Sequence, residues 1–233
     1  MLVAAAVCPC PPLLVPAVAA GAASELDGVR TACADAIAVL AAARPDKLIV
    51  VGPAEQGGRG PHPQGTVGGF DGFGVDLRVQ LGEGEPRGAL PGSLAVAAWL
   101  LQRERWAGAV EGLGVGEPLA PERCFEVGAD LAGQAERVAL LVMGDGSARR
   151  SLKAPGYLDE RAEAFDAAAA RALGAADVSA LKELDAELAQ ELQAAGRAAW
   201  QLLAGAAEGA GLSGTLLYDE APYGVGYMVA AWS

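Results

Sequence analysis

The sequence predicts a single α/β domain with a central, mostly parallel or mixed sheet and helices on both of its faces. Three stretches predict it. Leu2 to Val7 is an uninterrupted apolar run, short enough for a strand buried on both faces. Leu26, Val29, Cys33, Ile37 and Leu40 then step at three and four residues, which is one face of a helix. Lys47 to Val51 is a second apolar run after Pro45. Strand, helix and strand in that order form a βαβ unit, with parallel pairing and a right-handed crossover.

The first strand ends in Cys8-Pro9-Cys10-Pro11-Pro12, where proline forbids further strand or helix. Ser24 is placed to cap the first helix. Gly52 to Gly74 is a long Gly- and Pro-rich loop carrying the sole histidine, His62. Val75 to Leu81 alternates like a half-exposed strand, and Ser93 can cap a helix running to about Arg105. Ala109 to Val115 suits a short strand, and Glu122 to about Gln134 another helix. Arg137 to Met143 is the clearest strand of all. Leu158 to Ala169 turns helical, and a second amphipathic helix runs from Leu181 through Leu192 towards Leu203. Thr215 to Tyr218 and Val225 to Ala231 complete the sheet. No repeat or composition shift divides the chain, so residues 1–233 are expected to form one domain.

Composition narrows the function classes. Seventeen basic against 29 acidic residues give a net charge of −12, without a basic block to neutralise phosphates, so nucleic acid is an unsuitable partner. No apolar run reaches the ~18 residues of a membrane span. Leu2 to Val7 lacks the basic flank of a signal peptide, so a cytoplasmic location with reduced cysteines is expected.

Ligand sites in open α/β sheets lie where strands run out into loops. Three such places carry chemistry: Cys8 to Pro12, Gly144 to Arg150, and Asp219 to Tyr223. Gly144 and Gly146 permit a tight turn whose amides, with Arg149, Arg150 and Lys153 nearby, would suit an anion. A solvated turn reads equally well. His62 either reaches back to the strand ends or is a surface residue. No P-loop, dinucleotide fingerprint or nucleophile elbow is present.

The order of these stretches resembles the class III extradiol ring-cleavage dioxygenases, in their subunit-B-like branch. Cys10-Pro11-Pro12-Leu13 is similar to the branch's opening His-Pro-Pro-Leu, and Gly144-Asp145-Gly146-Ser147 to its Gly-Asp-x-Ser-His. Cysteine stands at the first metal-ligating histidine, alanine (Ala148) at the acid–base histidine, and no histidine follows the second strand near Ala54. The resemblance implies a metal position at Cys10 and Glu220, with Asp219 the fallback, and Ser147, Asp145 and His62 as catalytic candidates. Cys8, Gly144, Gly146, Arg149 and Tyr223, at these strand ends, are expected to contact a substrate or anion, and the resemblance implies a homodimer.

Fe(II) for ring cleavage takes two imidazoles and a carboxylate, whereas a Cys/Glu/His set suits Zn²⁺ better. The expectation is a divergent relative without ring cleavage that keeps a small-molecule or divalent-metal cleft. The alternatives are a metal-dependent oxidoreductase or hydrolase using Cys10 and Glu220, and a non-catalytic interaction scaffold.

Overall fold

A computed structural model describes all of residues 1–233. The elements are β1 (Leu2–Cys8), α1 (Pro16–Ala19), α2 (Asp27–Ala42), β2 (Lys47–Pro53), β3 (Gly60–His62), β4 (Val67–Phe70), β5 (Val75–Gln80) and α3 (Gly92–Arg103). After them come β6 (Val110–Val115), α4 (Pro121–Ala132), β7 (Val138–Met143), α5 (Ala162–Ala175), α6 (Val178–Lys182), α7 (Ala186–Glu191), α8 (Arg197–Ala207), β8 (Gly214–Glu220) and β9 (Tyr227–Trp232).

Seven strands form one mixed sheet in the order β3-β6-β2-β7-β1-β9-β8. Its centre, β6-β2-β7-β1, is parallel, while β3 and β9 pair antiparallel to their neighbours. The expected α/β class is therefore observed. β4 and β5 make a separate hairpin, docked on the α3 face through Phe70 and Val79.

The alternation of β1 explains how the sheet is covered. Leu2, Ala5 and Val7 face one core with α4, α5 and α8. Ala4, Ala6 and Cys8 face the other with α2 and α3. Each core holds 33 buried residues, so neither face is left to solvent. The alanines of β1 let α2 approach closely, and Cys33 of α2 is buried in the same core as Cys8. The Cys33 thiol and burial hold the Cys8 thiol well above its ordinary pKa.

Local expectations fail in three places. The Gly52–Gly74 stretch carries β3 and β4, because its glycines allow an antiparallel edge and a tight hairpin. The helix expected from Leu181 to Leu203 is three helices. Asp177 and Asp185 cap α6 and α7 with their side chains, and Gln193 breaks the run with φ of 57°. Neither expected serine cap forms: α2 begins after Leu26 and α3 after Pro91, both without a side-chain cap, and Ser93 donates instead to the Pro53 carbonyl at 2.7 Å. No helix is long and apolar enough to cross a membrane.

α4 and α8 pack with backbones nearly touching, since Gly128 faces the carbonyl of Leu202 and the amide of Ala206 with no room for a Cβ. Gly128→Ala should lower the unfolding free energy by about 1–3 kcal/mol through overpacking, measured by urea denaturation. Gly57→Ala, whose Cβ would meet nothing within 4 Å, is the matched control and should stay near wild type.

Candidate functional site

The chain leaves β1 towards the α2 face and leaves β7 towards the opposite face, so their loops part at the carboxyl edge of the sheet. Such a parting of adjacent strands is where open α/β sheets place ligands. The Gly144 amide donates to the Cys8 carbonyl at 3.0 Å where the two strands part. Above that bond, Cys10 donates its amide to Oδ1 of Asp145 at 2.8 Å, and its thiol lies 3.9 Å from Oδ2. Cys10 is buried and Asp145 half-buried.

Desolvation raises the Asp145 carboxyl from its ordinary value near 3.8 to about 6, although both Cys10 bonds pull the other way. No cation is among the groups acting on it. Burial, then the adjacent Asp145 charge, pushes the Cys10 thiol far above its usual range, so it is protonated at neutral pH.

Tyr227, the first residue of β9, is 2% exposed and completes the cluster. Burial first, and then Asp145, Tyr223, Cys10 and Tyr218, keep its phenol protonated. Four polar side chains thus lie close enough to act on one phenol. Around them, Tyr223 donates to Glu25 at 2.9 Å and Tyr218 to Glu220 at 3.0 Å. Burial and then the Glu220 bond lift Tyr218 to about 12.

The expected residues separate into those the fold gathers and those it does not. Glu220 pairs opposite Tyr227, and continuing the β1–β9 register by three residues sets Cys10 beside Tyr227. Cys10 and Glu220 are then two strand spacings apart, about 10 Å, with Tyr227 between them. Glu220 is exposed and Asp219 beside it likewise, whereas Cys10 is buried.

Ser147 does not line the crevice. It is fully buried, donating its hydroxyl to Oδ2 of Asp166 at 2.8 Å and its amide to Oδ1 at 2.7 Å. Arg150 closes the same carboxylate at 3.1 Å. Its catalytic assignment is corrected to a structural one, because no hydroxyl proton is left for a substrate.

The anion reading of the Gly144 turn is corrected for the same reason. The amides of Gly144, Gly146, Ser147 and Ala148 donate to Cys8, Gly226, Asp166 and Leu192, so none is available. Arg149 passes under Gly156, and its Nε is buried without a partner. His62 lies on β3, its ring nitrogen 2.8 Å from the Gly58 carbonyl. Four strand spacings, about 19 Å, part β3 from β1, so His62 serves neither as ligand nor as base at Cys10. Cys8 turns into the α2 core with Cys33, and so faces away from any ligand.

No three His, Cys, Asp or Glu side chains stand close enough to hold a metal ion. Cys10 and Asp145 offer two donors, one a protonated thiol already engaged with the other. The donor set fits neither an Fe(II) site with two imidazoles and a carboxylate nor a three-ligand zinc site. Further along the same edge, at the end of β2, a cavity of about 420 Å³ is lined by Pro53, Ala54, Glu55, Leu90 and Pro91.

Two residues escaped sequence reasoning. Tyr227 gave no signal, since an aromatic in a strand is ordinary core. Asp166 did give one: it is an acid on the alanine-rich buried face of α5, and a buried acid requires a partner.

No family model matches the chain, and no curated protein matches it. Matching solved structures include the crystal structure of uncharacterized protein JW3007 from Escherichia coli K12. It is 16% identical with a TM-score of 0.56, and the match covers 99% of each chain. At that identity the likeness is one of fold.

Two measurements check these roles. Asp166→Ala should cost about 3–5 kcal/mol of stability by breaking a buried pair, whereas Ser147→Ala should cost nearer 1 kcal/mol. A carboxyl whose folded pKa is raised contributes stability present below its ordinary pKa and lost as pH rises through its folded one. Asp145 should therefore take about 2–3 kcal/mol from the fold between pH 4 and 7. Asp145→Asn should flatten that part of the profile in urea unfolding at both pH values.

Proposed function

We propose that the protein is a divergent relative of the class III extradiol dioxygenases that binds a small polar molecule at the carboxyl edge of its sheet and does not cleave rings. The observation that carries this is the Cys10–Asp145 contact. A protonated thiol and a carboxyl group titrating near 6 occupy the position for which the resemblance implied a metal-ligating histidine. Such a crevice offers one acceptor, Asp145, and one phenolic donor, Tyr227, which suits a hydroxyl or amino group on the ligand.

The metal-dependent alternative draws less support. Glu220 is solvent-exposed and already accepts from Tyr218, and His62 is at the far edge of the sheet. Ring cleavage would further require a base beside the ligand's proton. Asp145 is the group placed for that, but nothing beside it can bind a catecholate through metal.

Two measurements test the proposal. Protein incubated with Fe(II) and given catechol or protocatechuate under air should develop no ring-cleavage absorbance; turnover would refute it. Ligand-observed NMR with small phenols and primary amines should detect binders to the wild type that are lost in Asp145→Asn and weakened in Tyr227→Phe. Binding indifferent to both substitutions, or no binder at all, would remove the crevice as a ligand site.

A further inference from the structure

A second cavity lies at the opposite edge of the sheet, where β2 and β6 begin. Its volume is about 400 Å³, and Ile37, Ala38 and Ala41 of α2, Trp106, Arg44 and Arg105 line it. β2 runs from this edge to the other over seven residues, about 20 Å, so the cavity is separate from the Cys10 crevice.

The two arginines occupy unusual backbone. Arg44 has φ of 47° and Arg105 of 54°, left-handed values disfavoured for any residue with a Cβ. Each sits just past the end of a helix. The Arg44 amide bonds Ala41, and those of Arg105 and Trp106 bond Gln102 and Leu101. Glycine is the usual occupant of such a closing position. Both helices instead accept strain and place arginine there.

A positive charge does complement a helix's carboxyl end, but that effect asks for no left-handed residue and no shared cavity. The chain carries 29 acidic side chains, yet neither guanidinium takes part in an ion pair. Glu104 lines the cavity as well, so its formal charge is 2 − 1 = +1.

Trp106 supplies the other half of the chemistry. Its indole is half-buried and fixed by a bond from Nε1 to the Gly108 carbonyl at 3.1 Å. A further hollow of about 290 Å³ shares Arg105, Trp106 and Ala107, so the indole stands as a wall between two spaces. A rigid aromatic wall, an apolar helix face and unpaired guanidinium forks match a flat ring bearing a carboxylate. The volume is at the small end of ligand sites and takes one or two rings.

We propose that this cavity is a binding site for a small aromatic carboxylate, held by Arg44 and Arg105 with its ring against Trp106. The test is calorimetric titration of the full chain with 1-naphthoate, the neutral 1-naphthylmethanol and inorganic phosphate. Naphthoate should bind one-to-one with Kd at or below about 1 mM, and the alcohol at least about tenfold more weakly. Phosphate should not compete.

The decisive variant is Arg44→Gly/Arg105→Gly, because glycine suits both backbone positions and should preserve or raise the melting temperature. It should lose at least about tenfold in naphthoate affinity. Trp106→Leu should weaken naphthoate and alcohol alike. Saturable binding unchanged in the glycine variant, equal binding of acid and alcohol, phosphate competing on even terms, or no saturable heat with naphthoate would each overturn the proposal.

Discussion

The carboxylate of Asp166 is the constraint on which the carboxyl edge of the sheet depends. It accepts the amide and hydroxyl of Ser147 and pairs with Arg150, binding the exit of β7 to α5. Gly226 leaves the space it needs, since a Cβ there would lie 2.5 Å from its Oδ2. With the acid seated, the loop after β7 runs beside the start of β9 through three backbone bonds. Gly146 donates to Gly226, Gly226 to Ser147, and Arg150 to Gly224. Asp145 and Tyr227 are the residues just before and just after this clasp. Their closeness to one another and to Cys10 is a consequence of it.

The stretch Gly144 to Ser147 therefore has its residue types for reasons of packing and hydrogen bonding. Gly144 abuts Gly196 and leaves no room for a side chain. Gly146 borders Asp166, and Ser147 satisfies it with two donors. Only Asp145 turns its side chain to Cys10. A motif that reads as catalytic in one dimension is, in three, a turn with one chemically available side chain. This is why alanine at position 148 is compatible with the rest of the motif: its amide is bound to Leu192, and nothing in the clasp depends on its side chain.

Much of the architecture was legible because periodicity reports burial. The β1 run, the α2 stripe and the β7 run each state which faces are covered, and those faces fix the parallel centre of the sheet. What the sequence withheld was set by contacts remote along the chain. The order β7-β1-β9 brings Cys10, Asp145 and Tyr227 together across more than 200 residues, and no local pattern carries that information. His62 shows the converse. Its loop looked free to reach back, yet three residues of edge strand pin it four strands away. Ser147 was misassigned because its partner, Asp166, lies one helix further on. The break in the Leu181–Leu203 helix was legible in principle, since Asp177 and Asp185 are helix caps by residue type.

Three acids at this edge compete for the role of a proton-exchanging group, and their surroundings decide among them. Asp166 is fully buried, and burial raises its carboxyl, but two Ser147 donors and Arg150 hold both oxygens. Glu117 is lifted to about 7 by burial despite Arg197 at 3.7 Å, and one of its oxygens is buried without a partner. It is, however, committed to the start of α8, where it accepts from the Ala198 amide at 3.4 Å. Asp145 alone has no cation beside it and is half-buried. A carboxyl that desolvation lifts to about 6 with no fixed counter-charge can trade its proton with an incoming ligand. The fold leaves that combination at one position, beside Cys10.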